Sequence, residues 1–94
     1  MLIIAGYLVI TPTERDAYVE QCVAVVEAAL ATRGCLDFSI TADSLDPSRV
    51  RIFERWESDD QLSTFRGSGP SESQQATIVA AEVKRYNISS VGEA

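Results

Sequence analysis

The first ten residues set apolar side chains on both faces of one extended segment. Leu2, Ile4, Leu8 and Ile10 fall on one side; Ile3, Ala5, Tyr7 and Val9 fall on the other. A strand half open to water alternates apolar with polar, so this one needs cover on both faces. From Cys35 to Asp43 the alternation is clean, with Leu36, Phe38, Ile40 and Ala42 pointing one way and Asp37, Ser39, Thr41 and Asp43 the other. Asp46-Pro47-Ser48-Arg49 has the composition of a type I turn and leads into a third strand from about Val50 to Glu57. A last strand, with weaker alternation, is predicted from Val83 to Val91.

Between the strands the period changes to that of a helix. Thr11-Pro12-Thr13-Glu14 reads as a capping box with proline at the first helical position. Tyr18, Cys22, Val25, Val26, Ala29 and Leu30 then form one apolar stripe, and Glu14, Arg15, Glu20, Gln21 and Glu27 form the wet side. Arg33-Gly34 ends this helix, with Gly34 expected in the left-handed position after the last turn. Ser58-Asp59-Asp60-Gln61 is a second capping box, and it opens a short helix anchored by Leu62 and Phe65. Gly67-Ser68-Gly69-Pro70 breaks that helix, and Ser71 is expected to cap another running through Ala81.

The order β-α-β-β-α-β is the split βαβ of ferredoxin-like α+β folds: a four-stranded antiparallel sheet with strands one and three in the middle and helices over one face. That leaves the second face of strand one, with Phe53 beside it, uncovered. A second copy presenting the same face would bury it, which predicts a homodimer with sheets packed face to face. The alternative is that Leu2, Ile4 and Leu8 sit under the C-terminal tail.

Ninety-four residues suit a single domain over 1–94. The net charge of −6 argues against nucleic acid, which needs a basic groove, and the scattered Lys and Arg offer no run to meet an anionic membrane. The opening apolar run lacks a positive flank and a cleavage site and is too short to span a bilayer. It is read as a buried strand, and the protein as cytoplasmic. There is no histidine, and the two cysteines are far apart, so the usual zinc and iron ligand sets are missing and no disulfide framework is expected. No acidic cluster suggests a magnesium site. No cofactor is predicted.

Chemistry is concentrated in strand three. Ile52, Glu54 and Trp56 share a parity that should face the helices. A carboxylate on an apolar face needs a polar partner or a cavity opposite it. Glu54 is a candidate general base towards a phenolic proton. Its other reading is a structural carboxylate that accepts hydrogen bonds from a capping region or pairs with an arginine across the dimer. Trp56 is either a flat wall for an aromatic ligand or core. Tyr7 either donates to a substrate oxygen or fills the core. Phe65 packs and at most narrows a cavity, Tyr18 and Tyr86 read as packing residues, and Ser68-Gly69-Pro70-Ser71 is either a gating loop or turn chemistry.

Three segments resemble a known family. Gly34-Cys35-Leu36-Asp37-Phe38 is similar to its "pGCl.f" start of strand two, Arg49 to Glu57 to its "rv.iyE.We" third strand, and Leu62 to Ser68 to its "l..H..S" helix. The family is the antibiotic biosynthesis monooxygenase (ABM) domain, and the similarity runs over nearly the whole chain. The resemblance implies a dimeric α+β barrel. It also implies a cofactor-independent monooxygenase of a phenolic, quinol or polyketide-like aromatic, with Glu54 and Tyr7 in catalysis and Trp56, Ile52, Phe65 and Phe38 against the substrate. The family also holds haem-degrading enzymes and an isomerase. Here Phe65 replaces the helix histidine that haem degraders use, and Ile52 stands where aromatic-oxygenating members carry asparagine. The alternatives are a non-catalytic dimeric module that binds a small molecule and an isomerase using the same pocket.

Overall fold

The computed structural model describes residues 1–67 and 77–94. Among them four strands form one antiparallel sheet: β1 Leu2–Ile10, β2 Cys35–Ala42, β3 Arg49–Trp56 and β4 Ile78–Asn87, in the order β2-β3-β1-β4. The helices α1 Pro12–Gln21, α2 Val23–Leu30 and α3 Asp59–Arg66 complete the ferredoxin-like fold. The two strands predicted to be central are central.

The long predicted helix is divided at Cys22. Its N–H is shared between the carbonyls of Tyr18 and Val19, a tightened turn, and regular bonding resumes from Val26 N–H to Cys22 O. Thr11 sits at the start of α1, but its side chain makes no capping bond; the main-chain N–H of Glu14 reaches the Thr11 carbonyl at 2.8 Å instead. The second capping box forms as expected, with Ser58 Oγ accepting from the Gln61 N–H and donating to Gln61 Oε1. Gly34 does have a positive φ, 91°, yet it stands beyond the end of α2 at Leu30, in the turn that feeds β2. Its carbonyl accepts from the Glu57 N–H and ties the two strand ends together.

The Asp46 turn closes through the Arg49 N–H, and Asp46 Oδ1 accepts from both the N–H and the Oγ of Ser48. Arg15, expected on the wet side, instead reaches under this hairpin and donates to the Asp46 carbonyl at 2.9 Å. Asp43 accepts from the main chain at Asp46 and Leu45 and from Arg51 Nε, and these bonds hold its carboxyl well below the usual range.

β4 corrects the expected boundaries. Residues 78–81, predicted as the end of a helix, belong to the strand, with Ile78, Ala80 and Ala81 paired to β1 across a bulge, and the strand ends at Asn87 rather than Val91. Ser71 and Ala76, the predicted cap and part of the apolar run of that helix, lie outside the described residues.

The register also decides which face is which. Leu2, Ile4, Gly6 and Leu8 pair with Trp56, Glu54, Ile52 and Val50, so this set lies under the helices. Ile3, Ala5, Tyr7 and Val9 share the open face with Phe53 and are only half-buried. The sequence reading had Tyr7 under the helices and Leu2, Ile4 and Leu8 on the far face; the ladder reverses both. Two apolar clusters fill the space under the helices. One gathers Leu2, Ile4, Ala29, Phe38, Trp56 and Leu62, and the other Ile10, Tyr18, Cys22 and Val50.

Candidate functional site

A cleft of about 370 Å³ opens where the two clusters part, lined by Leu8, Tyr18, Ile52, Glu54, Arg66, Ile78 and Val83. Each wall follows from the fold. β1 brings Leu8, with Gly6 next to it on the same face and paired with both Ile52 and Val83. β3 brings Ile52 and Glu54, α1 brings Tyr18, and the last turn of α3 brings Arg66.

Glu54 is the buried charged residue of this core, with 6 % of its surface exposed. Its Oε1 accepts from Trp56 Nε1–H at 3.1 Å, and its Oε2 accepts from Arg66 Nη2 at 3.3 Å. Both bonds match the rule that a carboxylate leaves water only when its oxygens are met by donors. The indole is fixed by its surroundings: Trp56 is fully buried, and Phe65 lies against it with ring centroids 5.5 Å apart. Phe38 meets Phe65 edge-on at 5.7 Å. Arg66 is held less firmly, with 48 % of its side chain exposed.

Tyr18 also lines the cleft, and its side chain is hydrogen-bonded with that of Cys22. Burial, reinforced by the adjacent Cys22 thiol, pushes its ionisation up to about 12. Burial also pushes the Cys22 thiol up.

Glu54 and Ile52 therefore line the cleft together, as the parity of β3 predicts. Trp56, Phe65 and Phe38 form a packed aromatic group behind Glu54 and are not among the cleft's lining; Trp56 is joined to the cleft through its N–H bond to Glu54. Tyr7 is on the opposite face of the sheet, with the Arg49 guanidinium 4.1 Å from its ring centre. The sequence reading missed Arg66 and treated Tyr18 as packing only. A hydroxyl on an otherwise apolar helical stripe was the available signal for Tyr18. The proposed gate at 68–71 lies outside the described residues.

Among the described residues no group of three or more His, Cys, Asp or Glu side chains is placed to hold a metal, and no helix is long and apolar enough to cross a membrane.

Comparison with solved structures finds the same fold in several organisms. A proposed antibiotic biosynthesis monooxygenase from Nitrosomonas europaea superposes with a TM-score of 0.81 at 15% identity, over 96% of this chain and 100% of that one. A counterpart from Chloroflexus aurantiacus is 26% identical, with a TM-score of 0.73 over 97% of this chain and 96% of its own. A mutant of MhuD, solved with two manganese protoporphyrin IX molecules per active site, gives 0.70 at 15% identity over 99% and 100%. Comparison with curated proteins gives no match. The family model for antibiotic biosynthesis monooxygenases matches residues 1–80, and the chain belongs to that family.

Proposed function

We propose that this protein is a cofactor-independent monooxygenase of an electron-rich aromatic, a phenol, quinol or polyketide-like ring, bound in the cleft beside Glu54. The observation that carries this reading is a buried carboxylate opening on a cleft that is apolar apart from Tyr18 and Arg66. A deprotonated phenol of this kind can itself pass an electron to dioxygen. The protein then needs only a dry pocket, a proton acceptor and orientation. Glu54 is the acceptor, and Tyr18 takes the orienting part that the sequence assigned to Tyr7. Leu8, Ile52, Ile78 and Val83 exclude water around the ring.

Oxygen-electrode measurements with a quinol and polyphenol panel test this. Wild type should consume dioxygen with no added cofactor, and Glu54→Gln should lower kcat by about 100-fold or more, the usual weight of general base catalysis. A folded wild type that consumes none across the panel overturns the reading.

One observation favours a non-catalytic binding module instead: both Glu54 oxygens are already engaged. That reading expects Glu54→Gln to leave ligand affinity nearly unchanged. An isomerase in the same pocket would turn over without oxygen.

The proposed assembly is a homodimer joined through the open sheet faces. Half-buried Ile3, Ala5, Tyr7, Val9 and Phe53 on that face support it. The free thiols Cys22 and Cys35 suit the reducing cytoplasm, the setting proposed here.

A further inference from the structure

We infer that the ligand is a hydroxyaromatic carboxylate, a ring bearing both a phenolic hydroxyl and a carboxylate, and that Arg66 selects it by exchanging Glu54 for the ligand's carboxylate. The inference rests on the reading of Glu54 as the proton acceptor and narrows its substrate class.

The two oxygens of Glu54 are not equivalent. Oε1 is tied to an indole locked in the core, whereas Oε2 is tied to a guanidinium that is half in water. Oε2 has a second lone pair, but while Arg66 stays on it the guanidinium charge opposes its taking a proton, so transfer is favoured once Arg66 turns aside. A neutral phenol offers the guanidinium no charge in exchange, so the pair would stay closed. A carboxylate offers two oxygens in the geometry the guanidinium fork prefers. The present pair has only one bond, at 3.3 Å, and Arg66 is partly solvated, so the guanidinium has room to turn to a bidentate partner. The buried carboxylate stays satisfied only because the ligand hydroxyl takes the place Arg66 leaves.

Arg66 is also the one cation among the described lining residues, and Leu8, Ile52, Ile78 and Val83 leave an apolar space for the ring. The molecule's charge of −6 does not prevent entry, because exposed charges are screened beyond about 8 Å at physiological salt. In the exchanged state the ligand carboxylate meets Arg66 and the ligand hydroxyl meets Oε2. The phenolic O–H bond breaks, its proton moves to Oε2, and the electron pair stays on the ring oxygen. Oε1 keeps its bond from Trp56 throughout.

The test is calorimetric titration under nitrogen with 4-hydroxy-2-naphthoate and with 1-naphthol, the same molecule without the carboxylate. The acid should bind wild type at least about tenfold more tightly, the worth of one charged hydrogen bond. Arg66→Gln, checked for fold by circular dichroism, should lose that preference, and Arg66→Lys should keep part of it. Potassium chloride gives a second reading that needs no variant: rising salt should weaken the acid and leave 1-naphthol unchanged. Equal affinities, a preference that survives both Arg66→Gln and salt, or no binding of either compound at millimolar concentration would each overturn the inference. Oxygen uptake separates it from the function: preference without uptake sinks the oxygenase, and uptake without preference sinks the carboxylate.

Discussion

At the scale of the residue, Trp56 matters through its N–H as much as its area. Its ring fills the larger core cluster while its one polar atom meets Glu54 Oε1. Trp56→Phe removes that donor from a buried carboxylate and shrinks a fully buried ring. The expected loss is about 2–4 kcal/mol, combining an unmet polar group with a partial cavity, and urea unfolding would measure it. A loss below half a kcal/mol would mean that water reaches Oε1. The shared face of Ile52, Glu54 and Trp56 was legible in the sequence because parity along a strand is fixed. Tyr7 was not, because β1 is apolar on both faces and nothing local says which one meets the helices. Only its pairing with β3, which sets Ile4 against Glu54, resolves that. Arg66 stayed hidden for another reason: a cation at a helix C-terminus is ordinarily explained by the helix dipole, and its partner is 12 residues away in sequence.

At the scale of the element, two glycines show how close the strands and helices come. Gly6 has φ 151°, and a Cβ there would stand 2.0 Å from the Glu82 carbonyl on β4. That obstacle is main chain in a paired strand and cannot turn aside. Gly34 has φ 91°, and a Cβ there would meet the end of the Gln61 side chain at 2.1 Å. Gln61 can rotate away. Gly6→Ala should therefore unfold the protein or cost more than about 3 kcal/mol, while Gly34→Ala should cost about 1–2 kcal/mol from backbone strain alone. Thermal melts of the two variants would rank them, and the reverse order would contradict the β1–β4 register. The order of elements could be read from the chain because caps and turn residues punctuate it, as Ser58 and Asp46-Pro47 do. The start of β4 could not. Ile78-Val79-Ala80-Ala81 carries apolar residues at every position, a run that suits a helix or a strand alike, and only pairing with β1 selects the strand.

At the scale of the whole molecule, the open sheet face is what the proposed homodimer rests on. It mixes apolar and charged groups in a pattern suited to meeting a copy of itself. Ile3, Ala5, Val9 and Phe53 supply the apolar middle, and Tyr7 is sandwiched by Arg49 and Arg51. Asp43 pairs with Arg51, and Glu82 with Lys84. The C-terminal tail borders one end of this face, where Ile88, Ser90, Val91 and Gly92 share a cavity with Ile3 and Arg55. Its main chain bonds Met1 through Ile88, yet Val91 remains 74% exposed. Phe53 lies between Ala5 and Ser39 in the ladder, two small neighbours, and is half-buried on this face. A ring so placed at the middle of an interface is the kind of anchor that carries much of the binding energy. In the proposed homodimer Phe53→Asp would set two like charges across the two-fold axis and remove both rings. The dimer dissociation constant should rise by at least about thirtyfold, read by sedimentation across a concentration series. Stability at high dilution should change little, because Phe53 faces away from the helices and contributes to neither core cluster. A wild type that sediments as a single subunit at micromolar concentration would show instead that this face stays open to water.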